Sequence, residues 1–466
     1  MQIRPRSSGR RSRRGHPYQV VLAAAAAAAV LGGCGAAHQN PVSATSTASP
    51  GTGSPSPGAS SPAPGTDCLA PGAVIACYTW RQFVTAYGIL PLLKRGVDGR
   101  GQTVVLPEFA PVVPAVASDV RQDLALFDRL SGLPAARVDV DTRLDPGASP
   151  FLAGKEEAGD AEMVHRVAPG ASIQVILMPQ PTGADQAAQA TAGFAKALRL
   201  VPSLGHVAVI TFGLGESCYT PAEAAEWNTA LQADRDQHVT VVASSGDDGA
   251  ASGPCNGLSA PAPQKGVNLP ASSPLVLAVG GTSLQASRIT GAYQGETAWN
   301  TPPPPGTPIP AGIETAEASN GGFSSLFPKP AYQDGVTGTG TGRGVPDVAA
   351  DASPFTGTAG TSVVDGTQLV GPSSGTSASA PFWAAIVALA DQYAGHALGF
   401  INPVIYRIGR SSAYHRAFHD ITSGDNTVTY SKVTVTGYQA APGWDPVTGW
   451  GSPNAQVLVP LLAAGG

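Results

Sequence analysis

The hydrophobic pattern of the chain is a series of short apolar runs separated by longer alanine-rich segments. The apolar runs are rich in β-branched residues and bounded by Gly, Pro or polar turns, which is typical of buried strands. They are Thr103–Leu106, Ser172–Leu177, His206–Thr211, Val239–Ala243 and Leu275–Val279. The segments between them, such as Asp185–Leu200 and Pro221–Asp234, predict helices. This alternation predicts an α/β fold with a mostly parallel central sheet flanked by helices.

One loop lies at the edge of the predicted sheet where function is expected. Ligands of parallel sheets bind at the carboxyl ends of the strands. The strand Val239–Ala243 is followed directly by Ser245-Gly246-Asp247-Asp248-Gly249. This loop is therefore a candidate for binding or catalysis.

The N-terminus has the pattern of a secretory signal. Residues 1–16 carry six arginines and no acid, Val20–Val30 is apolar, and Leu31-Gly32-Gly33-Cys34 follows. The order of basic head, short apolar stretch and small residues is typical of a signal peptide. Leu-Gly-Gly-Cys resembles the bacterial lipobox, so we expect residues 1–33 to be a lipoprotein-type signal and Cys34 to carry the lipid. The mature protein would then be extracellular and anchored to the outer face of the bacterial cell membrane; an ordinary signal peptide is the alternative.

Residues 34–67 are predicted to be a disordered linker. They are mostly Ser, Thr, Pro, Gly and Ala, and Val42 is the one large apolar residue among them. Such a segment cannot bury enough apolar surface to offset the entropy of the chain. Folded sequence is expected to start near Cys68 and to form one domain over residues 68–466, with the Pro-rich stretch Thr301–Pro310 as a surface loop.

The charge of the chain limits its partners. Six of the 27 basic residues precede Cys34 and the first acidic residue is Asp67, so without the basic head the formal charge changes from −5 to −11. A net-acidic protein repels phosphate backbones, which argues against nucleic-acid partners. No apolar run reaches the length of a membrane span. Membrane contact is expected only through lipidated Cys34, and a monomer is the default expectation.

Five cysteines are present in the sequence. With Cys34 set aside for lipid, four remain, and they allow three pairings. Export permits disulfides, and the most local pairs are Cys68 with Cys77 and Cys218 with Cys255. The absence of a Cys-x-x-Cys spacing argues against a thiolate metal site.

The strongest chemical signal is the run Ser374-Gly375-Thr376-Ser377-Ala378-Ser379-Ala380-Pro381. The apolar stretch Ala378–Tyr393 predicts a buried helix with Pro381 in its first turn. A serine at a helix N-terminus has free N–H groups and the positive end of the dipole beside it, which suits a developing oxyanion. Ser377 is therefore the candidate nucleophile. A simple helix cap is the alternative, but it would explain only one hydroxyl.

A nucleophilic serine needs a base. None of the eight histidines lies in the His-Gly-Thr setting of a subtilisin, and His165 is the only one near a promising segment. In that segment Glu156 and Asp160 are four residues apart, on one face of a predicted helix, whereas Glu157 points elsewhere. A solvated acidic face is the alternative interpretation of this pair.

Together these motifs resemble the sedolisins, the serine-carboxyl peptidases, whose fold is subtilisin-like and in which glutamate and aspartate replace histidine. The resemblance spans residues 77–460. It implies that Ser377 is the nucleophile, Glu156 the general base, Asp160 the group that orients Glu156, and Asp247 the acid that stabilises the oxyanion. The matching stretches are the nucleophile run, the helix leading into Val167-Ala168-Pro169-Gly170-Ala171, Ser245–Gly249, Tyr78–Ile89, Val279–Thr282, Ser319–Ser324, Phe327–Gln333, Gly344–Ala350 and Gly443–Gly449.

The resemblance also implies an activity. A secreted serine-type endopeptidase would hydrolyse peptide or protein substrates through an acyl-enzyme. An acidic optimum is expected, because Asp247 can donate a hydrogen bond only when it is protonated. The alternatives are a surface lipoprotein that binds peptides with the same fold, and a subtilisin-type enzyme that uses His165 as base.

Two further positions match the family's extended carboxyl network. Glu108 corresponds to an acid of this network, although a surface acid at a strand end is the alternative. Phe212 stands where some relatives have tryptophan, and phenylalanine cannot donate a hydrogen bond. The extended network is therefore expected to be incomplete here.

The resemblance implies one structural Ca²⁺ near the C-terminus. Asp420-Ile421 and Ala441-Pro442-Gly443-Trp444-Asp445 match the family's calcium loop. Carboxylate and carbonyl oxygens suit Ca²⁺. The implied ligands are the carboxylates of Asp420 and Asp445 and the carbonyls of Ile421, Ala441 and Gly443. Family members also carry a large pro-domain, whereas only signal and linker precede Cys68, so the resemblance leaves the activation route open.

Overall fold

The computed structural model describes residues 78–111, 119–148, 155–183, 185–253, 255, 263–301, 317–364, 367–430 and 433–465. The signal peptide, Cys34, the linker, the pair Cys68 and Cys77, and residues 302–310 of the Pro-rich loop lie outside these ranges and stay predictions from the sequence. Within the described ranges, no helix combines the length and the apolar character that crossing a bilayer requires.

The helices surround a central sheet. They are α1 (Trp80–Ala86), α2 (Leu90–Lys94), α3 (Val120–Ser131), α4 (Lys155–Val167), α5 (Gln186–Leu198), α6 (Pro221–Asp236), α7 (Thr376–Ala394), α8 (Asn402–Gly409), α9 (Tyr414–Ala417) and α10 (Ala455–Ala463). The strands are β1 (Thr103–Phe109), β2 (Arg137–Asp141), β3 (Ser172–Met178), β4 (Val207–Ile210), β5 (Leu214–Gly215), β6 (Thr240–Ser244), β7 (Asn268–Leu269), β8 (Leu277–Ala286), β9 (Tyr293–Ala298), β10 (Asn300–Thr301), β11 (Glu317–Ala318), β12 (Gly322–Pro328), β13 (Gly342–Val345), β14 (Val348–Asp351), β15 (Thr358–Val364), β16 (Thr367–Ser373), β17 (Phe418–His419), β18 (Val428–Tyr430), β19 (Val433–Val435) and β20 (Ser452–Pro453).

The central sheet has the strand order β2-β3-β1-β4-β6-β8-β14. All of these neighbours pair in parallel, and β9 adds an antiparallel strand against the second half of β8. The remaining strands form two-stranded antiparallel pairs outside the sheet. This confirms the predicted α/β class with a mainly parallel sheet.

Two apolar cores cover the two faces of the sheet. Side chains alternate between faces along a strand, so Val104 and Leu106 of β1 join the core formed with α1, α4, α7 and α10. Val105 points the other way, into the core formed with α5 and α6. Helix α7 lies deep in the first core, where Trp383 is fully buried and donates from Nε1 to the carbonyl of Ala349 over 2.9 Å. Burial on both faces explains why the strands appear in the sequence as continuous apolar runs.

The predicted strands and helices are confirmed, and most of their ends differ by one to three residues. The largest difference is in β8, which continues to Ala286, because Thr282–Ala286 pairs with β9. The hydrophobic pattern did not indicate β2, a polar strand at the edge of the sheet, where one side of the strand has no neighbouring strand and apolar residues are not required.

One disulfide joins two loops beyond the sheet. Cys218 and Cys255 are bonded, with an S–S distance of 2.08 Å. Cys218 ends a short 3-10 helix that follows β5, and Cys255 belongs to the segment between β6 and β7. The bond therefore ties the segment after β4 to the segment after β6, both of which border the candidate site.

Candidate active site

The carboxyl ends of the central strands meet the beginning of α7. Thr211 directly follows β4, and Ser245 directly follows β6. Helix α7 arrives at the same edge with Thr376 and Ser377 as its first two residues. Three segments that are distant in the sequence are thus brought together where parallel sheets bind ligands.

Ser377 stands in the first turn of α7, with its side chain partly exposed. Gly375 precedes the helix with φ 80° and ψ 166°, a conformation that favours glycine. Its N–H donates to the carbonyl of Ala352 over 2.7 Å, which fixes the entry of the chain into the helix. The Ser377 hydroxyl donates to the carbonyl of Thr211 over 3.5 Å. A bond of that length is weak, so the hydroxyl remains available to a stronger acceptor.

The predicted position of Pro381 in the first turn is wrong. Helix α7 begins at Thr376 rather than Ala378, because Gly375 and not Ser377 is the residue before the helix. Pro381 is therefore in the second turn, where a helix residue normally donates to the carbonyl four positions back. Its missing N–H leaves the carbonyl of Ser377 without its usual helical partner.

Asp247 contacts the residue next to the nucleophile. Its Oδ1 accepts hydrogen bonds from both the backbone N–H and the hydroxyl of Thr376, each over 2.8 Å. The Thr376 hydroxyl also accepts from the N–H of Gly246 over 3.0 Å. Asp247 Oδ2 lies toward Gly375, where a β-carbon would come within 2.7 Å of it. The sequence predicted Asp247 as a functional residue, and the structure places its carboxyl in contact with Thr376, the residue directly before Ser377.

Burial makes the Asp247 carboxyl a weaker acid. Loss of solvent raises its pKa above the ordinary value, and the bonds from Thr376 oppose this shift without reversing it. Burial also raises the pKa of neighbouring Asp248 to about 6. Burial is the main cause that raises the pKa of Glu317 in β11 to about 7, and the negative charges of Asp247 and Asp248 raise it further. This edge of the site therefore favours protonated carboxyls.

Asp160 is connected to the nucleophile through a different residue, Thr211. Helix α4 carries it, its side chain is buried, and its Oδ2 accepts a hydrogen bond from the Thr211 hydroxyl over 2.9 Å. The carbonyl of the same threonine faces Ser377. The structure thus connects Asp160 to Ser377 through one residue, Thr211, to which the sequence assigned no role.

Glu156 belongs to the first turn of α4, which confirms that it is on the same helix as Asp160 and one turn before it. The side chains of residues 155–157 lie outside what the structure describes, so the role of Glu156 stays a prediction. Glu108 is inside β1, which runs on to Phe109, and its side chain is buried rather than on the surface.

Phe212 is part of an aromatic cluster. Its ring meets Phe109 edge to face, with centroids 5.2 Å apart, and stacks on Phe194 at 5.6 Å. Trp227 extends the cluster from the other side of Phe194. Phe212 therefore contributes apolar packing next to Glu108 and Thr211.

The structure does not support the alternative in which His165 is the base. His165 is fully buried near the end of α4, where its Nε2 lies 3.0 Å from Asp128 Oδ1 and 2.9 Å from the carbonyl of Pro134. Both partners belong to α3 and the loop after it. The contacts of this imidazole are thus with α3 and its loop, and the oxygen that meets Ser377 is that of Thr211.

Asn320 is a second residue that the sequence did not identify by role. Its N–H donates to the carbonyl of Gly246 over 2.8 Å, and its amide donates to the carbonyls of Gly249 and Ala251, both over 2.7 Å. These bonds hold the loop on both sides of Asp247. The motif Ser319–Ser324 marked the position, but its spacing gave no indication of the partner.

Two of the predicted calcium ligands, Asp420 and Asp445, accept hydrogen bonds from the C-terminal loop 441–445. Asp420 Oδ1 accepts from the hydroxyl of Tyr414 over 2.9 Å and from the N–H of Gly443 over 3.0 Å. Asp445 is buried, and its carboxylate accepts from the N–H of Ala441 over 3.2 Å. Among the described residues no group of three or more His, Cys, Asp or Glu side chains gathers as a metal site, so a cation here would depend on carbonyl oxygens as well.

Comparison with known proteins identifies the class of protein to which the chain belongs. A mainly parallel sheet with a serine at the start of a buried helix matches subtilisin-like folds, and the profile described as the subtilase family matches residues 148–403. Kumamolisin from Bacillus sp. (strain MN-32) is 35% identical over 387 residues, which are 79% of this chain and 61% of kumamolisin. Sedolisin from Pseudomonas sp. (strain 101) is 31% identical over 75% of this chain and 56% of sedolisin.

A solved structure agrees with these sequence matches. Pseudomonas sedolisin, a serine-carboxyl proteinase complexed with two molecules of pseudo-iodotyrostatin, has a TM-score of 0.66 and 25% identity, over 83% of this chain and 98% of that chain. The chain belongs to the sedolisin family of serine-carboxyl peptidases. It spans less than two thirds of the length of kumamolisin and of sedolisin.

Proposed function

We propose that this chain is a serine-type endopeptidase that hydrolyses peptide or protein substrates at acidic pH through an acyl-enzyme on Ser377. The observation that carries the proposal is the position of Asp247, whose carboxyl is bonded to Thr376 beside the nucleophile. Asp160 accepts a hydrogen bond from Thr211, whose carbonyl faces Ser377. A serine at a helix N-terminus, with carboxyl groups bonded to the residues it contacts, suits acyl transfer.

In the first step Glu156 acts as general base. The Ser377 oxygen forms a bond to the carbonyl carbon of the substrate while its proton passes to Glu156, and the carbonyl electron pair moves onto the substrate oxygen. Asp160 orients Glu156 from one turn further along α4. Collapse of the intermediate breaks the C–N bond, and the proton on Glu156 passes to the leaving amine. Water then attacks the acyl-enzyme by the same path and frees Ser377.

Asp247 stabilises the oxyanion as a protonated acid. Its Oδ1 already accepts two hydrogen bonds from Thr376, so the proton belongs on Oδ2, the oxygen on the Gly375 side. The donor is present only while the carboxyl is protonated, and burial extends that range upward by raising its pKa. Activity is therefore expected to fall as the pH rises through the pKa of Asp247.

The test is hydrolysis of acid-denatured protein by the full chain across pH 3–8, with Ser377→Ala and Glu156→Gln variants. Ser377→Ala is expected to abolish hydrolysis, and Glu156→Gln to lower it by at least about 10²-fold, the usual contribution of a general base. Glu157→Gln, the adjacent acid on the same helix, is the matched control and should keep the parent's rate. Equal digestion by all four proteins would show that this assignment is wrong, and peptide binding without hydrolysis would favour the peptide-binding lipoprotein.

We also propose that one structural Ca²⁺ binds at the C-terminal loop. The carboxylates of Asp420 and Asp445 and the carbonyls of Ile421, Ala441 and Gly443 would hold it, since oxygen ligands of mixed type suit this ion. What supports the proposal is that Asp420 accepts from the N–H of Gly443 and Asp445 from the N–H of Ala441, so both carboxylates contact the loop 441–445. The ion would supply charge compensation for two carboxylates and take no part in bond cleavage.

Removal of the ion is expected to destabilise the fold. A ligand present at 100 times its Kd stabilises the folded state by about 2.7 kcal/mol, so EGTA should lower the Tm by several degrees, and added Ca²⁺ should restore it. Asp420→Asn should lower the Tm and remove the response to EGTA, whereas Asp334→Asn, an exposed acid away from the loop, should keep it. A Tm that EGTA leaves unchanged in the parent would contradict the proposal.

A further inference from the structure

Thr211 is placed so that its side chain and its backbone meet two different catalytic groups. It is the first residue after β4, and β4 lies in the middle of the sheet, paired on one side with β1 and on the other with β6. The pairing with β6 continues to Ile210, so the end of β4 has little freedom to move. Thr211 therefore presents its groups from a rigid part of the molecule.

The side chain of Thr211 acts on Asp160. Its hydroxyl donates to Asp160 Oδ2 over 2.9 Å, a normal hydrogen-bond length. Asp160 is 2% exposed, so water cannot replace a lost donor easily. A hydrogen bond to a carboxylate is stronger than one between neutral groups, and a β-branched threonine has few rotamers to choose from. The bond thus fixes the rotation of the Asp160 carboxyl group about its terminal bond.

The backbone of Thr211 meets the nucleophile. Its carbonyl lies 3.5 Å from the Ser377 oxygen, on the opposite end of the residue from the hydroxyl that binds Asp160. One residue therefore contacts both Asp160, which α4 carries, and Ser377, which the first turn of α7 carries.

We propose that Thr211 is a positioning residue: its hydroxyl holds the Asp160 carboxylate in the orientation that Glu156 needs, from a position where its own carbonyl faces Ser377. The inference rests on the proposed function, since it assigns Thr211 a part in the same reaction. Thr211 need not contact the substrate through its hydroxyl for this role, because the effect passes through Asp160. Removal of the hydroxyl should thus slow the chemical step without weakening substrate binding.

The two variants that separate these effects are Thr211→Val and Thr211→Ser. Valine has the shape of threonine and keeps the backbone carbonyl, but a methyl group replaces the hydroxyl. Serine keeps the hydroxyl and loses only the methyl group. Small displacements of catalytic groups cost up to about 10²-fold in rate, so Thr211→Val is expected to lower kcat by about 10- to 100-fold with KM changed by less than about twofold. Thr211→Ser should keep kcat within about threefold of the parent.

The experiment measures kcat and KM of the full chain on an internally quenched peptide that the parent cleaves, with Ser377→Ala as the blank. Circular dichroism and Tm establish that each variant is folded, and Thr211→Ala is a second hydroxyl-free variant should valine not fold. A lowered kcat in the hydroxyl-free variant, unchanged KM and rescue by serine would support the role of Thr211.

The contrary outcomes are distinct. A hydroxyl-free variant with the parent's kcat, a serine variant as slow as valine, or a change confined to KM would each overturn the role of Thr211, and the proposed function would stand as long as Ser377→Ala is inactive. If the parent protein showed no hydrolysis, or only hydrolysis that persists in Ser377→Ala, the proposed function and the role of Thr211 would both be overturned.

Discussion

Replacing Asp247 by alanine is expected to lower kcat by about 10²- to 10³-fold at acidic pH, the usual cost of removing one donor from an oxyanion site. KM should change little, because the donor is needed where charge develops and not where the substrate first binds. The same substitution removes the acceptor of both Thr376 bonds, so the first turn of α7 loses a support beside Ser377. The measurement is kcat and KM of the full chain on a defined peptide.

Asp247→Asn keeps a hydrogen-bond donor at this position and removes the group that titrates. The asparagine oxygen can accept from Thr376 as Oδ1 does, and its NH₂ can donate from the position of Oδ2 at any pH. We therefore expect this variant to keep much of the activity and to lose the decline that the parent shows as the pH rises through the raised pKa of Asp247. The remaining pH dependence would then be the acid limb, where Glu156 must lose its proton to act as base.

Asp248→Asn is the matched control for Asp247. It is the adjacent carboxyl, but it accepts a hydrogen bond from the hydroxyl of Tyr430 over 3.0 Å rather than from Thr376. Its effect on kcat is expected to stay below about tenfold. If Asp247→Ala and Asp248→Asn had equal effects, or if Asp247→Asn kept the parent's alkaline limb, Asp247 would not be the oxyanion donor.

The folded domain is expected to be more stable at pH 5 than at pH 7.5. Asp234, Asp351 and Asp391 are at most 3% exposed, and the Oδ2 of each has no hydrogen-bond partner among the described residues. Burial raises the pKa of each of them to about 7, from an ordinary value of 3.8. Folded and unfolded chains therefore bind different numbers of protons between about pH 4 and pH 7.

The sign follows from linkage. These aspartates hold protons more tightly in the folded state, so their stabilisation is fully present below pH 3.8 and is lost as the pH rises to about 7. A pKa that differs by about three between the folded and unfolded states corresponds to at most about 4 kcal/mol for each group. His419 acts in the opposite direction, since burial lowers its pKa to about 4. Asp248 and Glu317, with pKa values raised to about 6 and about 7, act in the same direction as the three aspartates, so a net loss of stability toward neutral pH is expected.

Exposed ion pairs do not change this balance. Arg100 with Asp98 and Arg143 with Asp141 would weaken at acidic pH, but the arginines are more than half exposed, and such pairs contribute about 1 kcal/mol or less. We expect a Tm higher by about 5 °C or more at pH 5 than at pH 7.5.

The variant that tests the cause is Asp391→Asn. Its oxygen can still accept the bond that the N–H of Leu398 donates to Asp391 over 3.0 Å, while the titration is gone. The Tm of this variant should depend less steeply on pH, whereas exposed Asp334→Asn should behave as the parent does. A Tm that rises toward pH 7.5, or an identical pH dependence in all three proteins, would refute this explanation.

Part of the fold could be predicted because burial on both faces leaves a mark on the sequence. The central strands and α7 appear as apolar runs, since both sides of each are covered by other elements. Strand β2 left no such mark, because it lies at the edge of the sheet and carries charged residues. The start of α7 was misplaced by two residues because small polar residues at a helix end are compatible with both cap and helix.

The residues of the candidate site fall into the same two groups, those with a local sequence pattern and those without one. The sequence made Ser377, Asp160 and Asp247 candidates, because a nucleophile run, a four-residue helical spacing and a loop after a strand are local patterns, and the resemblance to the sedolisins implied their roles. Thr211 and Thr376 escaped detection. Their partners Asp160 and Asp247 are 51 and 129 residues away, and no local pattern encodes such a contact.

The sequence by itself therefore determined the class of fold and the family, and it predicted candidate side chains for the chemistry, since these depend on residue type and short spacing. Only the tertiary structure decided how those side chains are held. It placed Asp247 against the start of α7, put Thr211 between Asp160 and Ser377, and turned His165 toward α3. The physical reason is that the direction of a hydrogen bond and the burial of a carboxyl depend on elements that meet only after the sheet has formed.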